Sequence, residues 1–494
     1  MDEQRTKVTA LLDRASCLAS IELQRAGFVP SQEEREELAR ISSRLHDALR
    51  IFELHGDAPA ALRQRAATQV ALNRSISSPV RRLPPELLLI VIYFIIEEVE
   101  HFSRATLLAD TIASVCVRWR YIALGEPRLW SYISSVRPYI VHLDLTLQVL
   151  LAASLPLHIE HPPLYDPLAL VEYFRELEPY SSRWEALDVS ATWTILESMQ
   201  TIDLPLLTSA KIGLEGPTEY RELRPFEFLS SASALKHFVV YLVQDWPDNA
   251  SWDDVRFPSF PSLLTFELHM LSDPGIPLSL QWLYALESSR CSLLVLHLQI
   301  QTLNIQPDPR PPIRFTSLRQ MVLLLDAPGA VLRHIVVPAL EELTFRGLPG
   351  LEDFSPIPCL ANFVSGQPLC NLKRLSLADV DHGDPLALVA CLQALGSLEE
   401  LRVREASGNM FFLLAPLALE RLICVEDQLP LLPRLSTIKV TYHADTDTYR
   451  RVEGIWLEMV ASRTEPRVCE NVPVVALREV GVKCRDSNDP DEDF

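Results

Sequence analysis

The sequence has 494 residues, of which 48% are hydrophobic and 22% are charged, and its formal net charge is −20. This apolar content excludes an intrinsically disordered chain, and the length suits about three ordinary domains or one small domain and one elongated domain. The negative charge disfavours general binding to nucleic acids or anionic membranes, because their phosphates would be repelled. The start lacks the features of a signal peptide, and the nine cysteines form no CxxC pair. We therefore expect reduced thiols and a cytoplasmic or nuclear protein.

Residues 1–76 are predicted to form a helical hairpin or a short coiled coil. Ser31 and Glu34 have the spacing of a capping box at a helix start. The apolar residues that follow are spaced alternately by three and four, and they are Leu38, Ile41, Leu45, Ala48 and Phe52. A second helix is predicted over 60–72, and the polar stretch 73–82 is predicted to be a linker. Because the seam covers under three heptads, a hairpin is favoured over a dimerising coil.

The segment 80–135 contains a continuous apolar run from Leu87 to Ile96, preceded by two prolines. The run is too short to span a membrane, which needs about 20 apolar residues. Proline is tolerated in the first turn of a helix, and the carboxylate of Glu86 is favourable there, so a helix is predicted from Glu86. A helix that is apolar on all sides must bury every face, and so small a module has too little core for this. We therefore expect one face of the helix to pack against a partner.

The same segment carries a resemblance to a known family. Its elements are, in order, Leu83-Pro84-Pro85-Glu86-Leu87, Val115-Cys116, Trp119-Arg120, Leu129-Trp130 and Ile133. This order resembles an F-box, the three-helix module through which substrate receptors bind the Skp adaptor of a cullin–RING ubiquitin ligase. The interval between Glu86 and Val115 is longer than the usual pattern, with the extra length near 97–105. The resemblance implies an adaptor-binding set of Leu83, Pro84, Glu86, Ile90, Val115, Cys116, Trp119, Leu129 and Trp130. The alternative for each of these residues is a place in the core of the module itself.

Residues 136–480 repeat the template Leu-x-x-Leu-x-Leu, with conservative apolar exchanges. The copies are Trp184-Leu187-Val189, Leu207-Ala210-Ile212, Leu235-Phe238-Val240, Leu263-Phe266-Leu268, Leu293-Leu296-Leu298, Leu318-Met321-Leu323, Leu340-Leu343-Phe345, Leu372-Leu375-Leu377, Leu398-Leu401-Val403, Leu419-Leu422-Cys424 and Leu435-Ile438-Val440. They start between 16 and 32 residues apart, a spacing typical of leucine-rich repeats. One such strand cannot bury its apolar residues alone, whereas stacked copies share a core. We predict an α/β solenoid of irregular leucine-rich repeats; the alternative is an ordinary α/β domain. The acidic stretch 481–494 is predicted to be a disordered tail.

The sequence contains no recognisable catalytic motif. It lacks the phosphate-binding patterns GxxxxGK[ST] and GxGxxG, the HExxH metal motif and the GxSxG nucleophile motif. His237, His269 and His297 fall in successive predicted strands at different places of the template, and neither Cys nor Asp completes a ligand set. We therefore interpret them as solvated strand residues rather than metal ligands. The sequence predicts no enzymatic activity, no cofactor and no metal site.

The places of each copy are counted from its first leucine, and the residue after the third leucine is the seventh. Side chains at the third, fifth and seventh places alternate away from the predicted core, and several of them are charged. The third places of the last five copies are Glu342, Arg374, Glu400, Arg421 and Thr437. This alternation of charge predicts a ladder of salt pairs between neighbouring strands. The fifth and seventh places hold four cations without a matching acid: Arg346, Arg402, Arg404 and Lys439. They are interpreted as solvated strand residues or as a binding site for an acidic or phosphorylated substrate segment.

The resemblance implies a substrate-recognition subunit of an SCF-type E3 ubiquitin ligase, and the combination of modules is similar to the large F-box families of mushroom-forming fungi. The F-box would bind the Skp adaptor, and the repeats would bind a protein substrate. The chemistry would lie on other subunits, so that the receptor contributes proximity. The alternative is a leucine-rich-repeat scaffold without a ligase role. Neither alternative involves nucleic acid or membrane as a partner.

Overall fold

The chain forms an N-terminal helical region followed by a parallel sheet of 13 strands with helices, which is an α/β fold, as shown by a computed structural model. It describes residues 2–55, 59–97, 109, 111–115, 117–135, 145–161, 167–199, 202–215, 226–242, 257–271, 280–301, 309–325, 328–347, 356–367, 371–379, 385–404, 414, 416–443 and 446–485. Two compact units comprise Met1–Glu160 and His161–Phe494. None of the helices described has the length and apolarity that a membrane crossing requires.

The first unit is mainly helical. Its helices are Asp2–Leu18 (α1), Ile21–Arg25 (α2), Gln32–His55 (α3), Ala60–Ser77 (α4), Pro85–Glu97 (α5), Val117–Leu124 (α6) and Leu145–Leu151 (α7). Two strands, Tyr132–Ser134 (β1) and Leu157–His161 (β2), pair in parallel. The apolar run predicted to be helical therefore forms α5.

The helix α3 begins with the capping box predicted from the sequence. The amide of Ser31 donates to Oε2 of Glu34 at 2.7 Å, and the amide of Glu34 donates to Oγ of Ser31 at 3.2 Å. The helix packs on α1 and α4. Its seam is buried with residues of those helices in one cluster, which includes Leu38, Ile41, Leu45, Val8, Leu12 and Val70. The seam is thus covered by helices of the same chain.

The predicted linker over 73–82 is wrong, because α4 continues to Ser77 and a 3₁₀ helix follows from Pro79 to Arg82. Asn73 is buried and donates through Nδ2 to Oγ of Ser42 at 3.0 Å. Gln69 donates to Oδ1 of Asn73, also at 3.0 Å. Polar composition suggested a linker, but these polar side chains form hydrogen bonds inside the helical bundle.

The second unit alternates strands with helices. Its main strands are Trp184–Thr192 (β3), Ser209–Glu215 (β4), His237–Leu242 (β5), Thr265–Leu271 (β6), Val295–Gln301 (β7), Gln320–Leu325 (β9), Glu342–Arg346 (β11), Arg374–Ala378 (β12), Glu400–Arg404 (β13), Thr437–His443 (β14) and Glu479–Arg485 (β17), which are neighbours in this order. Short pairs are formed by Ile313–Arg314 (β8) with Ile335–Val336 (β10), and by Arg467–Cys469 (β15) with Val472–Val474 (β16). The helices are Pro167–Leu177 (α8), Trp193–Ser198 (α9), Gln281–Ala285 (α10), Pro328–Leu332 (α11), Pro356–Ser365 (α12), Pro385–Gln393 (α13), Pro416–Leu422 (α14) and Thr446–Ser462 (α15).

The copies of the template are aligned in register across the sheet. The fourth place forms one buried row of paired residues: Leu187, Ala210, Phe238, Phe266, Leu296, Met321, Leu343, Leu375, Leu401 and Ile438. Because side chains alternate along a strand, the sixth place forms a second buried row, and the third, fifth and seventh places share the opposite face. Several return helices, including α12 and α13, begin at a proline, which suits the first helical turn.

Two predictions about the sheet are wrong. The copy Leu419-Leu422-Cys424 starts in helix α14, because a Leu-x-x-Leu spacing also places two leucines on one helical face, and both are buried there. Conversely, β17 pairs with β14 and fits the template as Leu477-Val480-Val482, a copy that was not recognised in the sequence. Residues 481–485 therefore belong to a strand instead of the predicted tail, and residues 486–494 lie outside the part of the chain described.

Candidate functional site

An exposed apolar face runs along helix α5. Leu88 and Ile92 are each only 1% exposed and pack inward. Leu87, Ile90, Val91, Phe94 and Ile95 are all exposed, and we call these five residues the α5 face. The exposed fraction reaches 62% at Ile90 and 64% at Phe94. Each of the five residues lies three or four positions from at least one other of them, so they share one side of the helix.

The segment after α5 also exposes apolar side chains. Val115 is 57% exposed, and along α6 the exposed residues include Val117, Tyr121 and Leu124. Their steps of four and three place the last three on one side of α6. The first unit therefore presents apolar side chains from two elements of the predicted F-box.

The start and the middle of α5 are held by polar groups of the same segment. The guanidinium of Arg118 donates to the backbone oxygens of Arg81 and Leu83 just before the helix. On the helix itself, the guanidinium carbon of Arg128 lies 6.0 Å from the ring centre of Tyr93. Burial, followed by the neighbouring carboxylate of Glu126, raises the pKa of the Tyr93 hydroxyl well above its usual value. These contacts fix α5 against the chain that follows it.

The predicted adaptor-binding residues divide by exposure. Pro84, Glu86, Ile90 and Val115 are exposed, Leu83 and Trp119 are half-buried, and Cys116 lies outside the described residues. Leu129 and Trp130 are buried, and the indole Nε1 of Trp130 donates to the backbone oxygen of Ala123 at 2.7 Å. A surface role for these last two is therefore wrong, because they form part of the core.

The adaptor-binding set implied by the resemblance to an F-box includes Ile90 but leaves out the other four residues of the α5 face. They are Leu87, Val91, Phe94 and Ile95, which surround Ile90 on the helix surface. The signal was present, since an unbroken apolar run must place residues on every side of a helix. Which side would face outward could not be read from the run, because its composition is uniform.

The four cations proposed as an anion site are each paired with a carboxylate. Nε of Arg346 lies 2.9 Å from Oδ2 of Asp379, and Arg404 contacts both oxygens of the same carboxylate. Nε of Arg402 lies 2.7 Å from Oε1 of Glu400. Nζ of Lys439 is likewise 2.7 Å from Oε1 of Glu479. The expectation of four unmatched cations is wrong, and the anion site loses its physical basis.

None of the acids that pair with these cations occupies a fifth or seventh place of the template, where matching acids were sought. Asp379 follows β12 by one residue and has a φ of 53°, a left-handed conformation that aspartate tolerates better than most residues. This turn directs one carboxylate to both Arg346 and Arg404. Glu479 lies on β17, at the third place of a copy that was not recognised in the sequence. Glu400 is two residues before its partner on the same strand.

The predicted ladder of salt pairs is formed only in part. Nη2 of Arg374 lies 2.7 Å from Oε2 of Glu342 on the adjacent strand, as predicted. Glu400 pairs with Arg402 on its own strand, and Arg421 lies on helix α14. Charge alternation therefore predicted one cross-strand pair but not the continuation of the row.

The three strand histidines have different surroundings. His237 is exposed, and its Nδ1 lies 2.9 Å from Oγ1 of Thr265, in keeping with a solvated strand residue. His269 and His297 lie instead beside the carboxylate of Glu267. The acid next to these two histidines was not considered in the sequence, where only Cys and Asp were sought as completing ligands.

The chain matches no protein-family model, and it matches no curated protein. Among solved structures it is similar to a structural-genomics target protein from Bacteroides fragilis, at 12% sequence identity and a TM-score of 0.31. The alignment covers 60% of this chain and 74% of the other. So weak a likeness supports no inference about function.

Proposed function

We propose that this chain is the substrate-recognition subunit of an SCF-type E3 ubiquitin ligase, in which residues 83–133 bind the Skp adaptor. The exposed α5 face carries the proposal. It stands in the segment that resembles an F-box and supplies the surplus apolar surface that such a module needs for its partner. Ile90, expected at the adaptor interface, belongs to this face.

The free energy available from covering this face is large. Complete burial of a leucine, isoleucine or phenylalanine side chain contributes roughly 1.5–3 kcal/mol. The α5 face has five large apolar residues, and exposed apolar patches of this kind typically mark an interaction site. Residues at three- and four-residue spacing on one helix suit an apolar groove on a partner protein. In this arrangement Leu129 and Trp130 stabilise the module from within rather than touching the adaptor.

We further propose that the strands and helices of the second unit form an irregular leucine-rich-repeat solenoid that binds the protein substrate. Strands aligned in register support this, as does the packing of α12 against both α11 and α13. Neighbouring repeats would then share one continuous core. An acidic substrate segment at Arg346, Arg402, Arg404 or Lys439 would have to displace a bound carboxylate, so we place no anion site there.

In this function the chain performs no chemistry of its own. It would hold a substrate lysine near the ubiquitin carrier and raise its effective concentration there, in the cytoplasm or the nucleus. The second candidate is a leucine-rich-repeat scaffold without a ligase role. The two candidates differ in one respect, which is binding of the Skp adaptor through the α5 face.

The test is a pull-down of purified Skp adaptor by the full chain and by the variant Ile90→Glu/Phe94→Glu. Two charges within an apolar interface would be desolvated, so we expect adaptor capture to be lost. The matched control is Leu386→Glu on α13, because Leu386 is 67% exposed and belongs to the second unit. Circular dichroism checks that each variant is folded. Undiminished capture by the folded double variant, or none by the natural chain, would leave the scaffold as the better account.

A further inference from the structure

Three potential metal ligands meet on the outward face of strands β6 and β7. Glu267 and His297 are directly paired across the two strands. His269 lies two residues after Glu267 on β6, so its side chain stands on the same face. We call these three residues the Glu–His cluster. Its ligand atoms all lie within 4.8 Å of one another.

The distances within the cluster suit a tetrahedral ion. Oε2 of Glu267 lies 3.4 Å from Nε2 of His269 and 3.6 Å from Nδ1 of His297. Zinc binds such nitrogen and oxygen atoms at about 2.0–2.1 Å, and the edges of a tetrahedron with those bonds measure roughly 3.3–3.4 Å. The distances from Oε2 of Glu267 to Nε2 of His269 and to Nδ1 of His297 are therefore close to the distance between two ligand atoms of a tetrahedral zinc site.

The imidazole ring of His269 is held by contacts with Gln299 and Tyr241, as the ring of a metal-binding histidine is held by its neighbours. Its Nδ1 lies 3.0 Å from Oε1 of Gln299, the residue paired with it on β7. In the tautomer that donates from Nδ1 to this amide oxygen, Nε2 presents its lone pair toward Glu267. The ring of Tyr241 stacks on His269, with centroids 4.5 Å apart and an interplanar angle of 8°. Such an outer shell fixes the tautomer and the ring direction of a ligand.

His297 faces the same point without a hydrogen bond to hold it there. The 3.6 Å between its Nδ1 and Glu267 is longer than a hydrogen bond, and its Nε2 is buried without a hydrogen-bond partner among the atoms described. The side chains of His269, His297 and Glu267 are 15%, 27% and 34% exposed. The cluster is thus half-buried and reachable from solvent.

The charge at the cluster favours a cation. The carboxylate of Glu267 supplies a negative charge next to the two imidazoles, since a glutamate is ordinarily ionised at neutral pH. A nearby ammonium group, Lys211, is paired with Asp188 at 3.0 Å, which offsets its repulsion of a cation. Two neutral imidazoles and one carboxylate form a ligand set that zinc uses where it keeps an open position.

We propose that Glu267, His269 and His297 bind Zn²⁺ and leave one coordination position open to solvent. The open position takes water or a donor group of a bound protein, such as a histidine, cysteine or carboxylate side chain. This site does not depend on the ligase role, because its ligands lie in the second unit and none belongs to the α5 face.

The test measures Zn²⁺ binding to the metal-freed full chain by isothermal titration calorimetry. We expect one site whose affinity falls at least tenfold in Glu267→Gln, in His269→Ala and in His297→Ala. The matched control is His237→Ala, which removes an exposed histidine from the same face of the sheet and should leave binding unchanged. Gln299→Ala should weaken binding by about tenfold without removing a ligand, since outer-shell changes typically cost ~10–100-fold.

Cobalt distinguishes this site from adventitious binding to the cysteines. Bound at the cluster, Co²⁺ should give the visible spectrum of nitrogen and oxygen ligation, and the spectrum should disappear in His269→Ala. Thiolate charge-transfer bands would instead indicate cysteine ligands. Absence of Zn²⁺ binding, or binding that all three ligand variants retain while circular dichroism shows them folded, would overturn the proposal and indicate an adventitious ion only.

Discussion

Two helices of similar composition, α5 in the first unit and α13 in the second, differ in how many of their apolar side chains are buried. Each begins at a proline and is apolar along most of its length. Helix α13 buries Leu388, Val389, Cys391 and Leu392 and exposes only one large apolar residue, Leu386. Helix α5 buries Leu88 and Ile92 but exposes five large apolar residues. Apolar composition therefore predicts that a helix needs covering, but not which molecule provides the cover.

The neighbours of the two helices explain the difference. Helix α13 packs against α12 on one side and α14 on the other, so most of its surface meets other helices of the same unit. Around α5, the inward residues Leu88 and Ile92 are buried, as are Leu129 and Trp130 of the chain that follows. The other side of α5 is exposed in the part of the chain that the structure describes. This is the physical basis for expecting a second protein there.

The largest effect should separate the two helices by stability. Leu392→Ala on α13 leaves a cavity among buried side chains, and we expect it to lower the free energy of unfolding by about 2–5 kcal/mol. Ile90→Ala on α5 should change it by less than about 0.5 kcal/mol, because Ile90 is exposed in the isolated chain. Urea unfolding followed by circular dichroism gives both values. Leu88→Ala, on the buried side of α5, is the control within the helix and should resemble Leu392→Ala. A large loss for Ile90→Ala would mean that the α5 face is covered within the chain.

The next effect compares buried with exposed ion pairs on the sheet face. Arg404 is 3% exposed and depends on Asp379, so Asp379→Ala leaves a buried guanidinium without its carboxylate. We expect a loss of about 3 kcal/mol, in line with the removal of one partner from a buried pair. Arg402→Ala should cost less than about 1 kcal/mol, because Arg402 is partly exposed. Thermal unfolding of the two variants provides the comparison, and equal losses would show that burial does not govern these pairs.

The strands of the sheet could be predicted from the sequence better than the surroundings of its charged residues. The template located strands such as β6 and β12 correctly, because a buried row tolerates only apolar side chains at fixed alternation. It failed at Leu419 and Leu422, where the same spacing suits a helix. It also failed for the four cations, because their partners lie outside the fifth and seventh places: Asp379 in the turn after β12, Glu400 on the strand of Arg402, and Glu479 on β17. The Glu–His cluster was missed because only Cys and Asp were sought near the histidines, although Glu267 and His297 share the fifth place of neighbouring copies.

A buried histidine in the second unit should make stability depend on pH. His161 is 3% exposed, and burial lowers its pKa to about 4. His161 therefore takes up a proton near pH 6.5 in the unfolded chain but only near pH 4 in the folded chain. Because the unfolded chain binds more protons between these values, the free energy of unfolding falls as the pH is lowered from 6.5 to 4. One pKa unit corresponds to about 1.4 kcal/mol, so the loss between pH 6.5 and pH 4 should be roughly 3 kcal/mol. Urea titrations at several pH values measure it, and His161→Phe should flatten the dependence. A slope unchanged by that substitution would assign the acid sensitivity to other groups.

The smallest effect is expected at the one cross-strand pair that the sequence predicted, Arg374 with Glu342. Its atoms lie 2.7 Å apart, but the side chains are 53% and 28% exposed, so solvent and salt screen their attraction. Arg374→Ala should therefore lower the free energy of unfolding by less than about 1 kcal/mol, and added salt should reduce the difference further. The double variant Arg374→Ala/Glu342→Ala completes a thermodynamic cycle that isolates the pair from the packing of the arginine stem. A coupling above about 2 kcal/mol that persists in high salt would mean that this exposed pair behaves like the buried pair of Asp379 and Arg404.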